Sequence, residues 1–463
     1  MINPTIFREY DLRGVVDVDI SPSGVVELGK AFGTYLNQQG LTQAVLGWDS
    51  RASSPAYRDA LTKGLISTGI DVVDIGQVTT PIFYWARVRY GLEAGVMITA
   101  SHNPAEYNGF KLAGRGKGTL FGEEIQKVRR IMEAGTFAHG EGAVSHENPV
   151  PEYLAMLKEK IQLGPRSLKV VVDCGNGTPS LFVRDAMKAF GLTDVTYLYC
   201  DVDPTFPNHH PDPVVAKNLV DLIARVKEEG ADLGVAFDGD GDRIGVVDEQ
   251  GNILWGDRLM ILYWREILPK HPGTSAIVEV KCSQTLVQEI ERLGGKPLFY
   301  KTGHSLIKDK MRELDAVFTG EMSGHMFFAD EYYGFDDAFY ATGRLLRIVS
   351  NTNAKLSQLL ADVPIPPSTP EVRIDCPDEQ KFQVVDTLRR QFAADPSVTV
   401  VDVDGVRVNF AHGWGLVRAS NTQPALVARA EADEKSHLQD IIDALEAKLH
   451  QFPFIASIDW SGE

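Results

Sequence analysis

The sequence predicts an α/β protein: three similar α/β domains with mainly parallel, mixed sheets, followed by a C-terminal α+β domain. Two observations carry this. Apolar strand-like runs alternate with helical patterns over most of the 463 residues, which is a βαβ rhythm. The stretch "DVPIPPSTPEV", 362–372, then separates that rhythm from a tail of different pattern, because its four prolines restrict both helix and central strand.

The elements follow in order. "AVLGWDS", "DVVDIGQ" and "AGVMITA" read as strands of the first domain, "KVVVDCGNG" and "DLGVAFDGDGD" of the second, "SAIVEVKC" and "DAVFTGE" of the third. Between them "SPAYRDALTKGLISTG", "NLVDLIARVKEEG" and "QTLVQEIERLGG" have helical apolar spacing and end at glycine. Beyond the linker come the strand-like "VTVVDVDGVRVNF" and a closing helix, "EKSHLQDIIDALEAKLH". Boundaries are expected at 1–146, 147–250, 251–365 and 366–463.

A hydrophobic fraction of 44% and a charged fraction of 24% are ordinary for a globular protein. The net charge of −17 argues against nucleic-acid partners and against a polybasic membrane surface, and any phosphate site must be locally basic against that field. No apolar run approaches the ~20 residues of a membrane helix. The start, "MINPTIFREYDLRG", lacks the pattern of a secretory signal. Cys174, Cys200, Cys282 and Cys376 form no CxxC pair, so they are expected as buried thiols of a cytoplasmic protein.

Four loops carry chemistry. In "DGDGDR", 238–243, Asp238, Asp240 and Asp242 alternate with glycines directly after a strand. Three converging carboxylates repel one another without a cation, and hard oxygen ligands select Mg²⁺, Mn²⁺ or Ca²⁺. An acidic surface turn or a structural Ca²⁺ loop has the same composition. The EF-hand spacing is incomplete, because no Glu follows at the required place. Arg243 would stand where a phosphate meets both it and the metal.

In "TASHNP", 99–104, Ser101 and His102 stand at a strand end before a proline, and Lys111 follows ten residues on from Ser101. The Gly-x-Ser-x-Gly context of a hydrolase elbow is absent. A loop serine before a proline turn fits equally. With a divalent site available, phosphoryl transfer to or from Ser101 becomes attractive.

In "TGEMSGH", 319–325, Glu321, Ser323 and His325 alternate, and an extended loop would turn them to one face. Glu accepts hydrogen bonds and Ser both gives and accepts them, which suits sugar hydroxyls. "KTGHS" adds Lys301, His304 and Ser305. In "RASNTQP", 418–424, Arg418, Ser420, Asn421 and Thr422 supply a guanidinium fork, hydroxyls and an amide, a phosphate cradle by chemistry. Taken alone it also describes a turn.

Together "TASHNP", "DGDGDR", "GEMSGH" and "RASNTQP", in this order and spacing, resemble the α-D-phosphohexomutase superfamily, in particular the bacterial phosphomannomutase/phosphoglucomutase branch. "FREYDLRG", "FPNHHPDP" and "KTGHSLIK" extend the resemblance over nearly the whole chain. It implies four domains around a central cleft, and reversible 1-phosphate/6-phosphate interconversion of glucose and mannose phosphates through a phosphoserine and a hexose 1,6-bisphosphate.

By that resemblance Ser101 carries the phosphoryl group, and Asp238, Asp240 and Asp242, with a Ser101 phosphate oxygen, hold one Mg²⁺. Arg13, His102, Lys111 and Arg243 offset the charge. Tyr10, Lys281, His304, Glu321, Ser323 and His325 line the sugar cleft, and Arg418, Ser420, Asn421 and Thr422 hold the phosphate that is not reacting. Arg13, Lys111, His304 and His325 are the candidates for proton transfer.

Glucose or mannose 1,6-bisphosphate is expected as activator, and a monomer as the state of the chain. Phosphoglucosamine mutase is the nearest rival, and its sugar loop usually resembles "GEQSGH", so Met322 argues against it. A Mg²⁺-dependent sugar phosphatase would leave Ser101 and the C-terminal cradle without a role.

Overall fold

The computed structural model describes residues 2–116, 118–420 and 424–461. The first sheet contains β1 (Leu12–Val15), β2 (Gln43–Trp48), β3 (Asp71–Gln77), β4 (Ala94–Ile98), β5 (Tyr107–Ala113) and β6 (Val144–His146), in the order β1-β5-β4-β2-β3-β6. Strands β4, β2, β3 and β6 are parallel, while β5 turns back against β4 and β1 lies against β5. Asn108 and Gly109 give β5 little strand signal of its own. Its hairpin partner β4 decides its conformation.

The second sheet repeats this plan. It contains β7 (Lys169–Asp173), β8 (Asp194–Leu198), β9 (Leu233–Phe237), β10 (Ile244–Asp248) and β11 (Ile253–Leu254), in the order β11-β10-β9-β7-β8. Strands β8, β7 and β9 are parallel, and β10 folds back on β9. In the third domain β12 (Ser275–Glu279) pairs in parallel with β13 (Lys296–Tyr300), and β14 (Phe318–Gly320) forms a separate hairpin with β15 (Met326–Phe328). The Thr319 hydroxyl donates to Ile277 O at 2.7 Å and ties the two pairs together.

The last sheet is antiparallel throughout. Strands β16 (Val372–Asp375), β17 (Thr399–Val401), β18 (Val406–Phe410), β19 (Gly413–Ala419) and β20 (Ala425–Ala432) run in the order β16-β20-β19-β18-β17. Helices Lys381–Ala393 and Lys435–Leu449 complete the α+β domain.

The central strands β4 and β9 are buried at every residue, as strands covered on both faces must be. This is why they read as unbroken apolar runs. One continuous apolar core joins the three α/β domains, from Val45 and Phe83 through Val172 and Val235 to Val278 and Phe318. The C-terminal domain has its own core, around Leu388, Leu426 and Leu445. The proline-rich segment between them leaves Ile365 in solvent.

The topology places the chemistry. "TASHNP" lies in the connection between β4 and β5, and "DGDGDR" fills that between β9 and β10. "EMSGH" fills the turn between β14 and β15, and "SNTQP" the connection between β19 and β20. Each of the four loops thus joins two antiparallel neighbours.

Candidate active site

Ser101 stands just beyond β4 in a left-handed conformation, φ 50°, and is 1% exposed. Its loop is gripped from below. The Arg51 guanidinium donates to Ser101 O at 2.9 Å, Asn103 O at 2.6 Å, Pro104 O at 2.6 Å and Tyr107 O at 2.9 Å. Asp49 holds Arg51 at 3.2 Å. This grip turns the Ser101 hydroxyl onto the second domain, where it donates to Asp238 Oδ2 at 2.7 Å. His102 Nδ1 lies 3.1 Å from the same hydroxyl.

The aspartate loop is shaped by its own first residue. Asp238 Oδ1 accepts from the backbone N–H groups of Gly241, Asp242 and Arg243 at 3.0–3.1 Å. Gly241 supplies the φ of +77° that the turn needs. Gly239 is required for a different reason: a Cβ there would lie 2.4 Å from Ser101 O, so only glycine lets the two loops touch. Thr80 fastens the loop from the first domain, with its hydroxyl 2.6 Å from Asp240 Oδ2 and its N–H 2.9 Å from Asp240 O.

Asp238, Asp240 and Asp242 are fully buried, and each offers a carboxylate oxygen within 4.8 Å of the others. Asp240 Oδ1 and Asp242 Oδ1 have no protein partner. Burial, then the neighbouring Asp242 and Asp240, raise Asp238 well above the usual carboxylate range. Burial raises Asp240 too, but the Lys111 ammonium overcomes it and holds the group below that range. Lys111, on β5, lies 2.5 Å from Asp242 Oδ2 and 3.1 Å from Asp240 Oδ2. Two buried carboxylate oxygens without partners, in a hard-oxygen donor set, fit a divalent cation such as Mg²⁺.

Positive charge rings this centre. Arg13 is held by Asp11 at 2.8 Å and donates to Asn103 Oδ1 at 2.6 Å. Arg243 donates from Nε to His325 Nε2 at 3.0 Å and lies 4.0 Å from both Asp212 and Asp238. Burial, Arg243 and Arg13 push His102 well below the ordinary histidine value.

The remaining residues line the other side. The loop of Glu321, Ser323 and His325 is a tight turn, not the extended segment its alternation implies. Gly324 N donates to Glu321 O at 3.0 Å, and Gly324 has φ +87°. Glu321 Oε1 accepts from Gly303 N at 2.8 Å, whereas His325 points back to Arg243; Ser323 is half-buried.

Tyr10 meets the His304 ring edge-on at 5.3 Å. Its hydroxyl is pushed up to about 12 by burial, with Asp11 and Glu321 adding to that and Arg418 and Arg13 opposing it. Lys281 pairs with Glu371 at 2.7 Å. Arg418 donates from Nε to Asp404 Oδ2 at 2.9 Å and leaves Nη2 buried without a partner. Ser420 is buried at the end of β19. Asn421 and Thr422 lie outside the described residues.

Several residues of this neighbourhood carry no motif. Arg51 has only the strand-end "DSR" to mark it, and Thr80 begins an ordinary helix. Asp336 and Asp404 are single charges whose partners are remote in sequence. The four cysteines are buried and free. Among the described residues no helix is long and apolar enough to cross a membrane.

A serine hydroxyl against three buried carboxylates, ringed by cations, defines a site for moving a phosphoryl group. The family profile for phosphoglucomutase/phosphomannomutase matches in four parts: alpha/beta/alpha domain I over 4–139, domain II over 151–251, domain III over 255–365 and the C-terminal domain over 371–448. The chain belongs to this family. It is 44% identical to a phosphomannomutase/phosphoglucomutase of Pseudomonas putida, over 96% of this chain and 95% of that one. It is 41% identical to a phosphoglucomutase of Neisseria meningitidis, over 97% of each. A crystal structure of a phosphoglucomutase/phosphomannomutase family protein from Burkholderia thailandensis superposes with a TM-score of 0.93 at 39% identity, covering 99% of this chain and all of that one.

Proposed function

We propose that this protein reversibly interconverts the 1-phosphates and 6-phosphates of glucose and mannose, with Ser101 giving and taking the phosphoryl group. Family membership over the whole length supports the reaction class. The observation that carries the assignment of Ser101 is its 2.7 Å contact with Asp238, across a domain boundary, where, among the described residues, three buried carboxylates meet. A phosphatase with an aspartate nucleophile has no use for that contact.

Asp238, Asp240 and Asp242, with a phosphate oxygen on Ser101, would hold Mg²⁺, which neutralises charge on the phosphoryl group when bound. The chain's own groups do the rest. Arg51 fixes the loop so that the Ser101 oxygen faces the cleft. Lys111, Arg13 and Arg243 lower the cost of charge on the equatorial phosphate oxygens. Phosphoserine passes its group to the free hydroxyl of the sugar phosphate, and a hexose 1,6-bisphosphate forms. That intermediate turns end for end, and its other phosphate returns to Ser101. The Arg418 fork, with its free Nη2, holds whichever phosphate is not reacting. Added glucose or mannose 1,6-bisphosphate should activate the enzyme by restoring phosphoserine.

The test uses the full chain with Mg²⁺, glucose 1-phosphate or mannose 1-phosphate, and glucose 1,6-bisphosphate. Formation of both 6-phosphates is expected, with a phosphate on Ser101 in the intact mass and peptide map. Ser101→Ala should lose nearly all turnover. A variant within threefold of wild type would overturn the phosphoserine assignment.

A further inference from the structure

His304 and His325 stand next to each other, with ring centroids 5.5 Å apart and planes at 25°, and both are buried. What lies between and behind them is a buried ion pair. Lys308, on the helix His304–Leu314, lies 2.9 Å from Asp336 Oδ1, in the loop before the helix Ala338–Ser350. Neither residue belongs to the four motif loops. A buried ion pair is weak evidence for stability, so its orientation toward functional groups is the informative feature.

The proton of the His304 imidazole can be placed from its neighbours. Lys308 Nζ lies 3.3 Å from His304 Nδ1. An ammonium has donors and no lone pair, so Nδ1 must accept and the His304 proton sits on Nε2. That Nε2 is buried and has no protein partner, while the ring meets Tyr10. At His325 the pattern is reversed. The Arg243 Nε–H donates to Nε2 at 3.0 Å, so this nitrogen holds the lone pair. Its Nδ1 lies 2.9 Å from Asp336 Oδ2 and 3.6 Å from Asp242 Oδ1, without the alignment of a hydrogen bond to either.

We propose that Lys308, held by Asp336, is a positioning residue of the active site that fixes His304 in a single tautomer. His304 is fixed as an Nε2–H donor toward a sugar or phosphate oxygen. His304 then acts as a hydrogen-bond donor and not as a base, because its lone pair is held by an ammonium. The role of the tautomer in turnover rests on the mutase reading above. The tautomer itself does not, and it can be read without substrate.

The experiment is long-range ¹H–¹⁵N correlation of the ring nitrogens in the full chain labelled with ¹⁵N-histidine. His304→Gln and His325→Gln assign the two signals. The expected result is His304 protonated at Nε2. His304 protonated at Nδ1, or at both ring nitrogens, would overturn the proposal whatever the mutants do.

Lys308→Met keeps an unbranched chain beside the Tyr84 ring but removes the donor. In a folded Lys308→Met protein His304 should exchange between tautomers, and kcat/KM should fall by about tenfold to a hundredfold, as for a misplaced charge-assisted hydrogen bond. A fixed Nε2–H tautomer with turnover within threefold of wild type would refute the role of Lys308. A fixed His304 tautomer in a protein without mutase activity would instead refute the mutase reading and leave the positioning intact.

Discussion

In the proposed reaction, single residues of the cleft wall would set the specificity. Glucose and mannose differ only at C2. Glu321 has one carboxylate oxygen committed to Gly303 N at 2.8 Å and is otherwise buried in the cleft wall, with Ser323 beside it. If these two read the O3 and O4 hydroxyls, C2 goes unread and both 1-phosphates turn over. Galactose differs at C4. A lost hydrogen bond to a buried carboxylate costs about 1.5–3 kcal/mol, so galactose 1-phosphate should react roughly tenfold to a hundredfold less well. Steady-state kinetics on the three sugars checks this, and comparable rates for galactose would remove Glu321 from that role. Ser101, the aspartates and Glu321 were legible as chemistry because their types and spacing recur in tight loops. Arg51 was not, because its four carbonyl partners exist only after the loop has folded around it.

At the scale of elements, the active site is a meeting of hairpin loops, and its tolerance is set by their closest approach. Gly239→Ala would place a Cβ 2.4 Å from Ser101 O and force the aspartate loop away from the serine loop. Turnover should drop by more than tenfold while the thermal midpoint changes little, since the clash is local and both loops lie at the rim of the core. Wild-type kinetics in that variant would mean the loops separate freely.

A second element-scale prediction concerns "FPNHHPDP", which crosses the end of the second sheet. Burial lowers the His209 pKa, but the hydrogen bond from Nε2 to Asp173 at 3.0 Å outweighs it and the value is raised. Its contribution is therefore full below the unfolded value of about 6.5 and is lost as pH rises through the higher folded value. His209→Gln should lower the thermal midpoint most at about pH 6, and the gap to wild type should narrow toward about pH 9. A gap that widens with pH would reverse the assignment.

Over the whole molecule, the three α/β domains share one core while the C-terminal domain is built on another. The joint between them is mainly polar around one small apolar cluster of Val280, Trp414 and Leu416. Lys281 pairs with Glu371 at 2.7 Å, Thr302 N donates to Asp404 at 3.0 Å, and Gln284 N donates to Glu431 at 3.0 Å. The Arg407 guanidinium is sandwiched by Trp414 and Phe299 and donates to Val280 O at 2.7 Å and Cys282 O at 2.8 Å. Such a joint permits rotation at less cost than tearing a shared apolar core.

Phosphate capture by Arg418 would then draw the last domain over the cleft and set the sugar hydroxyl in line with Ser101. Arg418→Ala should weaken glucose and mannose 1-phosphates equally, by about 1.5–3 kcal/mol in kcat/KM, with kcat falling as well as KM rising. Arg418→Lys should recover little, because a point charge lacks the fork. A loss confined to one sugar would move Arg418 from the phosphate to the ring.

The sequence by itself determined the apolar central strands, the linker and the chemical character of the four loops. Apolar runs, prolines and clustered carboxylates express local burial and local repulsion, and these are readable wherever they occur. The tertiary structure decided what lies opposite each loop. Strand β5 exists because β4 turns back on itself, and Glu321 and His325 diverge because Gly324 closes a turn between them. Lys308 and Asp336, 28 positions apart, become a buried pair behind two histidines only when a helix and a loop of the third domain pack together. Lys308 closes "KTGHSLIK", but no period or spacing links it to Asp336, so only the folded chain reveals the pair.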